Sequence, residues 1–377
     1  MEITVKKEEI VSALSTTLGV VEKRQTLPIL ANVLFEVDEN SFKLTATNLE
    51  SEVTISIPVV TINSVGKITT SAQKLNELCR LIPDGEDINL SLNANKLNVK
   101  TNNGKYSLSI LQSADFPIFN TESTIDPFRI PAQELRELIT STSFAISTIA
   151  FGKEWAEGLF ISVGEGFIST VATDGHVLAY ANLSKISDHT FSGIVPRKAI
   201  NEIAKLLSDQ SGDAGLKIND DSLELTVGNI VFKSKLIAGK FPDFTRAIPS
   251  GESSALEVNV KDFSDSLSRV SVISEKLHKP ITLTISSDGV KIMSSLALLE
   301  ERAEEFFPAA YNGETIDLAF NVTYLQSCLS HIKTETCHFN FFVKNSKQLS
   351  CTIASPNSDS TQYIVSALID VPRQVPS

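Results

Sequence analysis

The sequence predicts an α+β protein built from one module repeated three times, each module two amphipathic helices packed on antiparallel strands. An apolar stripe at i, i+3, i+4 and i+7, the spacing of one helix face, falls on Leu75, Leu78, Cys79 and Ile82. It returns on Ile200, Ile203, Ala204 and Leu207, and on Leu325, Cys328, Leu329 and Ile332, each time 125 residues on. A second stripe opens each third, on Ile10, Ala13, Leu14 and Thr17, on Leu135, Leu138, Ile139 and Thr142, and on Phe263, Ser266, Leu267 and Val270.

Each third starts with a short alternating strand, ITV at 3 to 5, FRI at 128 to 130 and LEV at 256 to 258, and leads into its first helix. A hairpin follows. VLFEVDENSFKLTATN turns at Asp-Glu-Asn-Ser, LFISVGEGFISTVATD at Gly-Glu-Gly and LTISSDGVKIMSS at Ser-Asp-Gly. The second helix comes next, then further strands such as INLSLNANKLNVKTNNGKYSLSIL and LELTVGNIVFKSKLI. A Phe-Pro pair closes the first two modules at Phe116-Pro117 and Phe241-Pro242. Stretches rich in Pro, Ser and Gly near 125 and 253 set the expected modules at 1–125, 126–253 and 254–377.

At 377 residues, with 42% hydrophobic and 21% charged residues, the composition is that of a globular chain with more than one core. No apolar run reaches the length of a membrane span, and MEITVKKEEIV has no export-signal pattern, so a cytoplasmic protein is expected. Four cysteines without paired spacing read as buried free thiols, and neither a metal nor a cofactor is expected. A formal charge of -12 disfavours tight, patch-driven nucleic-acid binding but leaves weak or enclosed contact open.

Each helix has one apolar and one wet face, and six wet faces can line a hole. Helices pack about 8 to 10 Å apart, so six in a ring leave a hole below about 10 Å, whereas twelve from two chains leave about 20 to 28 Å, room for a duplex roughly 20 Å wide. The candidate phosphate contacts on these faces are Arg80, Arg136, Arg197, Lys198, Lys205, Arg269 and Lys333, with Arg24 on a nearby loop. Arg80 and Lys205 share one repeat position; Ser330 holds it in the third copy.

RQTLPILANVLFEV (24 to 37), TATNLESEV (45 to 53), SADFPIFN (113 to 120), TVATDGH (170 to 176), IVPRKAINEI (194 to 203) and KSKLIAGKFPDFTR (233 to 246) resemble the bacterial sliding clamp, the beta subunit of DNA polymerase III. The resemblance runs in register over nearly the whole chain, least well in the third module. It implies three clamp modules per chain and two chains closed head to tail, helices lining the hole. It also implies enclosed duplex DNA, tethered polymerases and a clamp loader, and no catalysis.

By the same resemblance, the partner-peptide groove comprises Trp155, Thr173, Gly175, His176, Val177, Leu178, Pro242, Arg246 and Ala247. Val343, Ser346, Val365, Ser366, Ala367 and Leu368 complete it. The dimer interface sets Glu300, Glu301, Glu304 and Glu305 of LLEERAEEFF against Lys74, Lys96, Lys100 and Lys105, with Tyr106 facing Val272 and Ile273. The chain departs from the family in that groove. Val177 replaces an arginine, Trp155 stands where an aliphatic residue is common, and seven residues follow Asp370. SEKLHKPITL differs from the family's more basic, glycine-containing segment.

Two other readings remain. A divergent clamp paralogue would serve a specialised polymerase or a regulator. A hydrolase would use Asp174 and His176 with Ser169 or Ser234, although no Gly-x-Ser-x-Gly elbow, phosphate loop or His-Glu-x-x-His accompanies them.

Overall fold

A computed structural model describes residues 1–21, 27–119, 126–149, 152–164, 166–185, 188–275, 279–296, 299–344, 348–356 and 360–368, without the side chains of 343, 344 and 348–350. The chain forms two compact units, Met1–Glu137 with Phe191–Ala238, and Leu138–Thr190 with Gly239–Ser377. Their boundaries fall inside the second repeat, so the compact units and the repeats are different divisions.

Six helices occupy the striped segments: α1 (Lys7–Thr17), α2 (Ala72–Leu81), α3 (Ala132–Thr142), α4 (Arg197–Leu206), α5 (Val260–Ser271) and α6 (Val322–Leu329). Each begins directly where a strand ends, which leaves its first amide without an intrahelical partner. Lys7, Ala132, Val260 and Val322 donate that N–H to the carbonyls of Glu86, Gly212, Glu335 and Lys279, at 3.0 to 3.1 Å for all but Val260, which sits at 2.9 Å. Ser71, Asn259 and Asn321 add side-chain caps to α2, α5 and α6.

α6 stops one turn short of the stripe that predicts it. Ser330 Oγ donates to Ser327 O at 2.8 Å and His331 Nδ1 lies 2.8 Å from the same carbonyl, so side chains compete for helix acceptors and Ile332 falls beyond the end.

In the first unit the strands run Phe128–Pro131, Asp213–Ile218, Ser222–Val227, Ile230–Lys235, Ser51–Ile57, Phe42–Thr47, Asn32–Val37, Gly66–Ser71, Lys105–Leu111, Lys96–Lys100, Asp87–Asn93, Glu2–Lys6, Thr61–Ser64. The second unit orders Gly158–Gly164, Phe167–Thr173, Val177–Ser184, Thr361–Ser366, Gln348–Ala354, Thr336–Lys344, Ser253–Asn259, Ala310–Tyr311. A separate sheet there holds Glu301–Pro308, Gly289–Leu296, Pro280–Ser286 and Ile316–Asn321. All three expected hairpins close in register, Val37 opposite Phe42, Gly164 opposite Phe167 and Ser286 opposite Gly289. The helix stripes and the inward strand residues form the cores, in which all four cysteines are free and buried. Burial pushes the Cys79 and Cys337 thiols up to about 12, so they stay protonated and unreactive.

In each unit one strand pairing crosses a repeat boundary: Ile230–Lys235 with Ser51–Ile57, and Thr361–Ser366 with Val177–Ser184. The two junctions are built alike. Lys235 N donates to Glu50 O at 2.9 Å in one, and Ser366 N to His176 O at 3.0 Å in the other. Two residues on, Ile237 N meets Ile194 O and Leu368 N meets Ala319 O, both at 2.8 Å. By this register, Glu52 opposite Lys233 in the first junction takes the place of Leu178 opposite Ile364 in the second.

Glu52 is 3% exposed, and burial pushes its carboxyl above the ordinary value, against the Phe119 N–H at 2.9 Å and the Lys233 charge. A carboxyl raised by folding leaves stability intact below its unfolded value of about 4.3 and removes it as the pH climbs through the folded value. Glu52→Gln keeps an acceptor for Phe119. Its gain in denaturant midpoint over the parent is expected to be small near pH 4 and to grow towards pH 7; a gain of equal size at both would assign the effect to packing instead.

Candidate functional site

The second junction opens into a groove of about 1300 Å³. One wall is the turn between Phe167–Thr173 and Val177–Ser184. Asp174 Oδ1 accepts from His176 N at 2.8 Å and Val177 N at 2.9 Å, and Thr173 Oγ1 accepts from Gly175 N at 3.0 Å. Gly175 sits at φ 95°, a left-handed conformation that glycine adopts without strain. The His176 ring stacks on Tyr324 of α6, centroids 5.8 Å apart at 19°. Burial, and then the Asp174 carboxylate to which the Tyr324 hydroxyl is bonded, push that phenol up to about 12.

An aromatic cluster supports the opposite side. Phe241, 5% exposed, stacks on Phe160 with centroids 4.9 Å apart and meets Trp155 edge-on at 5.6 Å, while Tyr180 lies 5.6 Å from Phe244. Lys153 Nζ stands 5.9 Å over the Trp155 ring. Arg246, the one guanidinium or ammonium group among the described lining residues, is tied to Asp243 through Nε at 2.9 Å.

Trp155, Thr173, Gly175, His176, Val177, Leu178, Pro242, Arg246, Ala247, Ser366, Ala367 and Leu368 line this groove as the sequence reading expects. Val365 does not. It pairs opposite Val177 and is fully buried, because alternate strand residues face opposite ways and Ile364 and Ser366 hold the groove side. Ser346 and the Val343 side chain lie outside the described residues. The sequence reading missed Asp243, Phe244, Asp317, Leu318, Ala319, Phe341, Phe342 and Ile364, with Pro249, Ser250 and Glu252 to Ser254. Alternation from Ser366 points back to Ile364; Asp317 to Ala319 join only through the bond from Leu368 N to Ala319 O.

The basic residues differ in exposure. Arg80, Arg197, Lys198 and Lys333 are exposed and Arg136 is half-buried. Lys205 is 2.7 Å from Glu202, and Arg269 Nε donates to Glu305 Oε2 at 3.1 Å while Nη2 reaches Glu305 Oε1 and Ser266. Both pairs lie at exposed side chains, Lys205 at 69% and Arg269 at 60%, and are weak surface pairs. Arg24 lies outside the described residues.

Two of the strand edges carry residues expected at the dimer interface. Lys105–Leu111 pairs with Gly66–Ser71 only at Ile110 and Leu111, and Thr70 Oγ1 donates to Ser109 O at 3.2 Å, so among the described residues no strand pairs with the other side of 105–108. Lys74, Lys96, Lys105 and Tyr106, 43% exposed, stand at or near this edge. Glu301–Pro308 ends its own sheet. Here Glu304 bonds Lys291 at 2.8 Å and Arg302 at 2.7 Å, and Glu305 bonds Arg269, while Glu300, Glu301 and Glu304 are all exposed. At the end of α5, Val272 is 78% exposed beside a half-buried Ile273.

The hydrolase arrangement does not assemble. Asp174 is spent on its own turn and on Tyr324, and Ser169 and Ser234 are 3% and 1% exposed within strands.

Tandem α+β modules joined by strand pairing across their boundaries, with a groove at one junction, define the class of fold. Family models of the DNA polymerase III beta subunit match in sequence order, the N-terminal domain at residues 1–120, the central domain at 129–243 and the C-terminal domain at 245–368. The chain is 34% identical to the beta sliding clamp of Pseudomonas aeruginosa and 30% identical to that of Escherichia coli, each over 97% of this chain and 99% of the relative. A crystal structure of the Pseudomonas aeruginosa DNA polymerase III subunit beta superposes with a TM-score of 0.93 at 33% identity, covering 98% of this chain and 100% of that one. Another from that organism, bound to griselimycin, superposes at 0.92 with 33% identity, covering 98% of this chain and 99% of that one. The chain belongs to the DNA polymerase III beta subunit family, the bacterial sliding clamps. It is three tandem clamp domains, a processivity factor of DNA replication and not an enzyme.

Proposed function

We propose that two copies of this chain close head to tail into a ring around duplex DNA, with module boundaries near residues 125 and 253. The observation that carries this reading is a pair of open edges, one basic at 105–108 and one acidic at 301–308. An unpaired strand edge is a template for another chain, and two different edges on one chain make a heterologous contact that closes when the rotation allows. Val272, Ile273 and Tyr106 supply the apolar centre of that contact. The helix faces turn inward, and Arg80, Arg136, Arg197, Lys198, Lys205, Arg269 and Lys333 touch phosphates weakly enough to slide. Glu300 and Glu301 face Lys74, Lys96, Lys100 and Lys105 of the partner subunit's edge.

The groove receives short apolar peptide segments from the replicative polymerase, the clamp loader and other partners. Its support is a groove in which apolar and aromatic side chains such as Trp155, Leu178, Phe244 and Ile364 stand beside polar ones, the form that holds an anchor side chain and orients its neighbours. This role places the protein in the cytoplasm, and among the described residues no helix is long and apolar enough to cross a membrane.

Loading onto nicked circular DNA with a clamp loader, followed by cutting of the circle, tests enclosure. Release of essentially all the protein on linearisation is the expected result. Retention on the linear product would mean ordinary affinity and overturn the ring.

A further inference from the structure

The charges around the groove are unbalanced. Asp243, Glu252 and Asp317 line it against Arg246 alone among the described residues, and Arg246 is already paired with Asp243. Asp317 accepts only a neutral bond, from Thr284 Oγ1 at 2.7 Å, and Glu252 stands exposed on the rim. Position 177, on the groove wall, is a valine and adds no positive charge. A peptide entering with an apolar anchor therefore meets aromatic side chains beside two carboxylates, Glu252 and Asp317, that no lining cation among the described residues pairs.

We propose that this groove selects peptides that carry a basic residue beside the apolar anchor and discriminates against those with an acidic one. The proposal rests on the groove's being the partner site. The physical reason is complementarity: an ammonium brought to Glu252 or Asp317 gains a partner that no lining cation among the described residues supplies, while a carboxylate meets like charge there. These groups are near solvent, so the effect is a preference sensitive to salt, superimposed on the apolar anchoring.

The chain reports on its own groove. Trp155, the single tryptophan, lines it, so its fluorescence follows occupancy without a label. The probes are two peptides, Gln-Leu-Lys-Leu-Phe and Gln-Leu-Asp-Leu-Phe, titrated into the full chain. The lysine peptide is expected to bind about tenfold more tightly at low salt, with the ratio shrinking at about 0.5 M salt. In Glu252→Gln with Asp317→Asn, where the bond from Thr284 is kept, the ratio should drop to about threefold or less. Equal binding, or preference for the aspartate peptide, would overturn the charge selection while leaving the groove as partner site. An unchanged ratio in the double variant would overturn the assignment to these two carboxylates. Binding of neither peptide would remove the partner-site reading and the selection with it.

Discussion

Replacing Phe263 by alanine is expected to destabilise the second unit by about 3 to 5 kcal/mol. Phe263 is fully buried on α5 and meets Phe307 edge-on at 5.2 Å and Phe339 at 5.5 Å, so it joins the helix to strands of both sheets in that unit. Truncation removes the apolar area and both ring contacts at once, and rings held by two strands cannot collapse fully into the gap. Phe263→Leu, which keeps most of the volume, should cost about 1.5 kcal/mol or less. Urea unfolding followed through Trp155, in the same unit, measures both. A loss under about 1 kcal/mol for the alanine variant would show that α5 is not held as the ring geometry implies.

Ile273→Asp is expected to weaken self-association at least about a hundredfold while leaving the fold of the chain intact. In the chain alone, Val272 is 78% exposed and Ile273 half-buried, an apolar pair at a helix end with little intramolecular reason to be there. A carboxylate at that position stays solvated in the free chain but would be desolvated, without a partner, in an apolar interface. Sedimentation at micromolar concentration should show a monomer with the parent's circular dichroism. A dimer of unchanged affinity would exclude this end of α5 from the contact.

Local pattern accounts for how much could be read before any coordinates. Helix stripes need only a spacing, and α1 to α5 lie where Ile10, Leu75, Leu135, Ile200 and Phe263 place them. The hairpins need only alternation and turn residues, and their registers match. α6 ends early because Ser330 and His331 bond to Ser327, a competition among side chains that apolar spacing does not register.

The groove was half legible. Its turn, Thr173 to Leu178, and its connector at Pro242 and Arg246 are contiguous motifs and stand in the resemblance to known clamps. Leu318, Phe341 and Ile364 come from strands far apart in sequence, and only pairing across the junction brings them beside Leu178. The local charges show the same limit. Sequence presents Arg269, Lys205, Glu304 and Glu305 as surface charges awaiting partners, whereas folding brings Arg269 to Glu305 and Glu304 to Lys291 and leaves Glu300, Glu301 and Glu304 exposed.

By itself, then, the sequence determined the threefold repeat, the helices and hairpins of each copy and membership of the clamp family, because periodicity, turn chemistry and motif are properties of neighbouring residues. The tertiary structure decided which junction becomes a groove. Identical backbone bonds build both, and the difference between Glu52 opposite Lys233 and Leu178 opposite Ile364 acquires meaning only when strands from separate modules lie side by side. A buried carboxyl opposite a half-buried lysine at one junction and apolar Leu178 opposite Ile364 at the other follow from that pairing, which acts over distances along the chain that no local pattern spans.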